Sequence, residues 1–214
     1  MFPDFSREDH SSDGRIPVRK GQPMATTSTA PMTADDFYDW VHRPENAARS
    51  FELDRGEIIE MPPPGKYHGF VCGNIAGILR NFAVQRRRGY VCTNDAGILV
   101  ERDPDTVRGP DVSFYDDAET ADTMERKYPE TPPPLVVEVL SPEDRINRVS
   151  VRVAQLQAHG VGLVWVVDPE VREVAVYRSG AIPTLVDAAG ELTGGDVLPD
   201  LRCRVDEFFA MPGR

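Results

Sequence analysis

Leu135-Val136-Val137-Glu138-Val139-Leu140 is the stretch on which the fold turns. Five of its six residues are apolar, with Pro132-Pro133-Pro134 before it and Ser141-Pro142 after it. A continuous apolar run bounded by turn residues predicts a strand buried on both faces. The exception is Glu138. An unpaired buried carboxylate costs several kcal/mol, so this one requires a cation, a metal, a proton or a strong donor. Either Glu138 points outward or pairs with a core arginine, or it belongs to a functional site.

Arg108-Gly109-Pro110-Asp111-Val112-Ser113-Phe114 supplies a second carboxylate. Proline gives no amide hydrogen to a ladder and fits the entrance of a strand, which puts Asp111 at a strand mouth. An Asp at the start of one strand and a Glu within another can meet at one edge of a sheet. Oxygen ligands placed that way suit a hard divalent cation such as Mg²⁺ or Mn²⁺.

Downstream, Ser141-Pro142-Glu143-Asp144 reads as a helix start with Ser as N-cap and Pro at the first position. Ile146, Val149, Val153 and Leu156 form one face, and Arg145, Arg148 and Arg152 fall together beside it. These arginines form a candidate basic cleft facing Asp111 and Glu138. The alternatives are a solvated arginine face, or an arginine that neutralises Glu138 without any metal. Gly160 ends the helix, and Leu163 to Val167 forms a second buried strand. The strand–helix–strand unit predicts a parallel, right-handed crossover. Val171 to Tyr177 then alternates like a more exposed strand.

Upstream, Thr33 caps a short helix whose first turn is acidic. Phe51 to Met61 reads as a hairpin around Asp54-Arg55-Gly56. Glu57 lies just past the turn, and His68 begins a helix running to about Arg87 on the spacing of Val71, Ile75, Ile78, Leu79 and Phe82. Arg86-Arg87-Arg88 complements the helix dipole or contacts phosphate, the former being the commoner use. Tyr90 to Val100 predicts a strand pair or a kinked strand, with Asp111 to Tyr115 as its partner. A surface loop follows from Asp116 to Pro134. Asp196 to Pro199, Val205 and Phe208-Phe209 suggest a closing strand and a terminal helical turn.

The 214 residues carry 35 acidic against 24 basic side chains, a net charge of −11, which disfavours loose, charge-driven binding to nucleic acid. A local basic cleft is compatible with that balance. No apolar run approaches the ~20 residues of a membrane span. Cys72, Cys92 and Cys203 are widely spaced and fit reduced thiols in the cytoplasm. Residues 1–31 are polar, aperiodic and expected to be disordered, with Met24 and Met32 as alternative starts and one folded domain over 32–211. P-loop, GxGxxG, GxSxG and HExxH motifs are missing from the sequence.

The order Pro110-Asp111, then Leu135 to Pro142, then Ala158-His159-Gly160-Val161 and Val164-Trp165-Val166-Val167-Asp168-Pro169 resembles the Uma2 family of restriction-endonuclease-like proteins. Phe51-Glu52-Leu53, Gly56-Glu57-Ile58 and Met61-Pro62-Pro63 with His68 resemble that family's front end. The resemblance implies an α/β (α+β) fold, a restriction-endonuclease-like mixed β-sheet flanked by helices, similar to the PD-(D/E)XK nucleases. It implies Mg²⁺-dependent hydrolysis of nucleic-acid phosphodiesters; DNA rather than RNA as partner, and a homo-oligomer, are separate expectations. Asp111, Glu138 and the main-chain carbonyl of Val139 would hold the metal. Arg152 would take the place of the family's displaced lysine, Arg145 and Arg148 would bind substrate, and Glu57 and His68 would contribute from outside. Leu140 stands where the nuclease pattern has lysine. Arginine keeps the charge but does not give up a proton. The competing reading is a nuclease fold retained as a binding or oligomerisation module.

Overall fold

The computed structural model describes residues 30–141, 146–211 and 213. The expectations for the segment 1–31 and for the helix start over 142–145, Arg145 included, fall outside these residues, apart from Ala30 and Pro31. From Pro31 onward the chain forms one compact unit. It opens with helix α1 (Ala34–Val41), where Thr33 Oγ1 accepts from the Asp36 amide as predicted. A hairpin of β1 (Ser50–Asp54) and β2 (Glu57–Met61) follows, turning through Arg55 and Gly56, both at positive φ. Next come the long helix α2 (Lys66–Arg86) and four short strands: β3 (Tyr90–Thr93), β4 (Ile98–Glu101), β5 (Thr106–Arg108) and β6 (Val112–Tyr115). The predicted central strand is β7 (Leu135–Val139), followed by α3 (Ile146–His159), β8 (Leu163–Asp168), β9 (Glu173–Arg178) and β10 (Thr184–Val186). A small ribbon of β11 (Glu191–Thr193) and β12 (Arg202–Arg204) leads to a 3₁₀ turn at Val205–Phe209.

The main sheet runs β10-β9-β8-β7-β6-β3. Only its β7–β8 pair is parallel, as the crossover through α3 requires. All five residues of β7 are buried. Side chains alternate across a strand, so Leu135, Val137 and Val139 pack with Val71, Ile75 and Leu79 of α2, while Val136 packs with Val153 and Leu156 of α3 and Ile98 and Val100 of β4. Glu138 shares the α3 side with Val136.

A second sheet, β2-β1-β5-β4, joins the predicted hairpin to two further strands. The expected strand pair over Tyr90–Val100 is instead two strands in different sheets: β3 pairs with β6, and β4 pairs with β5. Asn94 and Asp95, both at positive φ, break the extended chain between them. β5 went unpredicted because Thr106-Val107-Arg108 has one apolar residue and no alternation to read. At the C-terminus the closing strand is β12, with Asp196 to Pro199 in the turn before it. Among the described residues no helix is long and apolar enough to cross a membrane.

Candidate active site

The ends of β6 and β7 bring the two predicted carboxylates together. Asp111 immediately precedes β6, and its Oδ2 accepts the main-chain N–H of Val139 at 2.7 Å. That bond ties the entrance of β6 to the residue after Glu138. Its other oxygen, Oδ1, lies 3.3 Å from His68 Nε2. The same ring nitrogen is 2.9 Å from the carbonyl oxygen of Val139. His68 stands in the first turn of α2, and one turn on, Cys72 Sγ approaches its Nδ1 at 3.5 Å. The hydrogen bonds to Asp111 and then to Cys72 raise the imidazole to about 11.

Glu138, 8% exposed, meets Arg152 from α3: Nε donates to Oε1 at 3.1 Å. The arginine also forks onto Glu52, with Nη2 to Oε1 at 2.6 Å and Nη1 to Oε2 at 3.2 Å, and Nη2 reaches Gly109 O at 3.5 Å. Burial works against the charge of Arg152, but Glu138 and Glu52 outweigh it and hold the guanidinium protonated. Burial pushes Glu138 up to about 8; Asp111 and Glu52 push the same way, and Arg152 opposes them. Asp95, between β3 and β4, is raised by burial and then by Asp111 and Glu52, although its side chain keeps contact with solvent.

Glu52 is the residue that sequence reasoning missed. The ladder sets Leu53 opposite Val107, which places Glu52 across from Arg108 on the other face. Arg108 Nη1 donates to Glu52 Oε2 at 3.1 Å, Nη2 to Asp54 Oδ1 at 2.6 Å, and Nε to Gln155 Oε1 at 2.9 Å. Gly109 N donates to Glu52 Oε1 at 2.8 Å. The alternation Phe51-Glu52-Leu53-Asp54 was a legible signal for two acids on one face of a strand. Its partner was not legible, because β5 itself was not.

Of the predicted residues, the structure brings together Asp111, Glu138, Val139, Arg152 and His68. Glu57 does not join them: it is exposed on β2, opposite Asp54 in the ladder, and Glu52 supplies the buried acid instead. Arg148 is exposed, one turn before Arg152 on α3. Arg86 and Arg88 share the single carboxylate of Asp116, so part of this basic run is paired within the chain.

The site thus sits on a mixed sheet with one helix on each face, where acidic residues gather at strand ends. The Uma2 family profile, described as "Putative restriction endonuclease", matches residues 34–206, and the chain belongs to that family. Among solved structures it is similar to one titled as a putative nuclease belonging to DUF820 from Anabaena variabilis. The two share 20% identity over 84% of this chain and 98% of that one, with a TM-score of 0.70, a likeness of fold. None of the curated proteins matches the chain.

Proposed function

We propose that the chain hydrolyses phosphodiester bonds of nucleic acid with a divalent cation held by Asp111, Glu138 and the carbonyl of Val139. One observation carries the reading: Asp111 Oδ1, Val139 O and His68 Nε2 converge beside Glu138, with His68 Nε2 at 2.9 Å and 3.3 Å from the two oxygens. The charges fit a dication. With every carboxylate ionised, Glu52, Asp54, Asp95, Asp111 and Glu138 carry two more charges than the Arg108, Arg152 and protonated His68 beside them among the described residues. Glu138 is raised first by burial, and Asp111 and Glu52 add to the rise. Oxygen donors suit a hard dication such as Mg²⁺ or Mn²⁺. Bound there, the cation supplies Lewis acidity towards a phosphoryl oxygen and an activated water.

The chain's own residues do the rest. The Val139 amide fixes Asp111. Arg152 orients Glu138 and Glu52, and its permanent charge bars it from taking the water's proton. Asp95, at the rim with a raised carboxyl, is placed to accept it. Exposed Arg148 is available to backbone phosphate, and the reading gives Arg145, outside the described residues, the same role. The family description favours DNA over RNA. The free thiols of Cys72, Cys92 and Cys203 support a reducing, cytoplasmic setting, and a homo-oligomer is part of this reading.

The test is Mn²⁺-dependent cleavage of labelled single- and double-stranded DNA by wild type and Asp111→Asn. Cleavage by wild type that falls to background in the variant supports the proposal, and equal cleavage by both sinks it. A second reading, the nuclease fold kept as a binding or oligomerisation module, is favoured by Leu140 at the lysine position and by the engagement of Arg152 by Glu138, Glu52 and Gly109. Arg152→Lys separates the two: a gain of Mg²⁺-dependent cleavage marks an attenuated nuclease, and no gain from an inactive wild type favours the module.

A further inference from the structure

We infer that His68, Cys72 and Asp111 form a site for a thiophilic transition metal such as Zn²⁺, which shares Asp111 with the Glu138 centre and is therefore exclusive with it. Inhibition by this ion rests on the nuclease reading; the binding does not. His68 and Cys72 are four residues apart on α2 and so share one face. Donor atoms of the three side chains all lie within 4.8 Å of one another. The Cys72 Sγ to His68 Nδ1 separation is 3.5 Å. A tetrahedral zinc with its usual bond lengths to sulfur and nitrogen needs about 3.6 Å between those two ligands.

The chemistry of the set is specific. Sulfur, imidazole and carboxylate together select a borderline-soft ion, whereas the hydrolytic centre is built mainly of oxygen. Nothing in phosphodiester hydrolysis calls for Cys72, which is half-buried beside the site with a thiol raised first of all by burial. On binding, the thiol and the protonated His68 ring each give a proton to solvent, and the thiolate and the freed ring nitrogen take the metal. Cys72 faces Nδ1 while Asp111 faces Nε2, so the ring must swing to give one nitrogen to the shared ion. That swing leaves the Val139 carbonyl and draws Asp111 away from the Glu138 centre. Zinc would therefore block the hydrolytic cation by taking Asp111, one of its ligands.

Co²⁺ is the probe, because a cobalt–thiolate bond gives a near-ultraviolet charge-transfer band. The full chain titrated with Co²⁺ should show the band, and Zn²⁺ should abolish it. Cys72→Ser should abolish it as well, and Asp111→Asn should weaken Co²⁺ affinity by at least about tenfold, the scale set by losing a metal-site contact. Cys92→Ser and Glu138→Gln should both retain it. A band that never forms, or that survives in a folded Cys72→Ser protein, overturns the inference. A Cys72→Ala protein with native circular dichroism and the same loss guards against a folding artefact. The two readings fail separately. Loss of Mn²⁺-dependent cleavage with the band intact counts against the nuclease alone, and cleavage insensitive to Zn²⁺ counts against this site alone.

Discussion

Replacing Glu52 by alanine is the perturbation that probes the site's framework most deeply. Glu52 is 4% exposed and holds Arg108, Arg152 and the amide of Gly109 at once. Removing one partner of a buried ion pair costs about 3–5 kcal/mol, because the remaining charge stays buried and unpaired. Here Arg108 keeps Asp54 and Gln155, and Arg152 keeps Glu138. The low end, about 3 kcal/mol, is therefore expected. In a domain of this size each kcal/mol moves the melting midpoint by about 2–4 °C, so Glu52→Ala should melt roughly 6–12 °C below wild type. Thermal denaturation followed by circular dichroism reads this directly, with Glu57→Ala as the control. Glu57 is exposed, and its loss should stay within about 0.5 kcal/mol. A Glu52→Ala midpoint indistinguishable from that of Glu57→Ala would refute the view that Glu52 knits the two sheets' charges together.

The remaining predictions concern protons, the arginine and packing. Glu138 is raised from its usual value near 4.5 to about 8, so the folded protein holds a proton that the unfolded chain has lost between those values. Metal-free stability should therefore fall as pH climbs from about 4.5 to 8, and Glu138→Gln should flatten that slope in pH-dependent melts. His68 owes its rise to about 11 first to Asp111, so it should stay protonated at pH 8 by NMR and titrate markedly lower in Asp111→Asn. Arg152→Lys should lose the fork onto Glu52 and a few kcal/mol of stability while freeing Glu138 for a cation, read as lower melting with tighter Mn²⁺ binding. A Cβ on Gly109 would meet the Asp95 carbonyl oxygen at 2.8 Å, so Gly109→Ala should cost about 1–3 kcal/mol and disturb the loop at the site's rim.

Where the sequence was legible, a periodicity or a cost made it so. The apolar run of β7 and the alternation in β9 announced strands, and the four-residue spacing in α2 announced a helix. The cost of burying Glu138 announced a site, and Pro110-Asp111 announced a strand mouth. What stayed hidden depends on tertiary pairing. β5 is three residues long with one apolar side chain, so neither it nor its joining of the predicted β1–β2 hairpin to β4 could be read. Without that link, Arg108 had no reason to be buried and Glu52 had no reason to outrank Glu57. Arg152 was legible as a cation near Glu138, but its hold on Glu52 was not, since those residues lie 100 positions apart in sequence. Cys72 looked like an ordinary core thiol until α2 set it beside His68 and Asp111.

Calorimetric titration of Mn²⁺ into the full chain, beside Asp111→Asn and Glu138→Gln, tests the central claim most directly. The account predicts one bound ion in wild type and loss of that binding in both variants. Absence of binding to wild type, or binding that survives both substitutions, would contradict it.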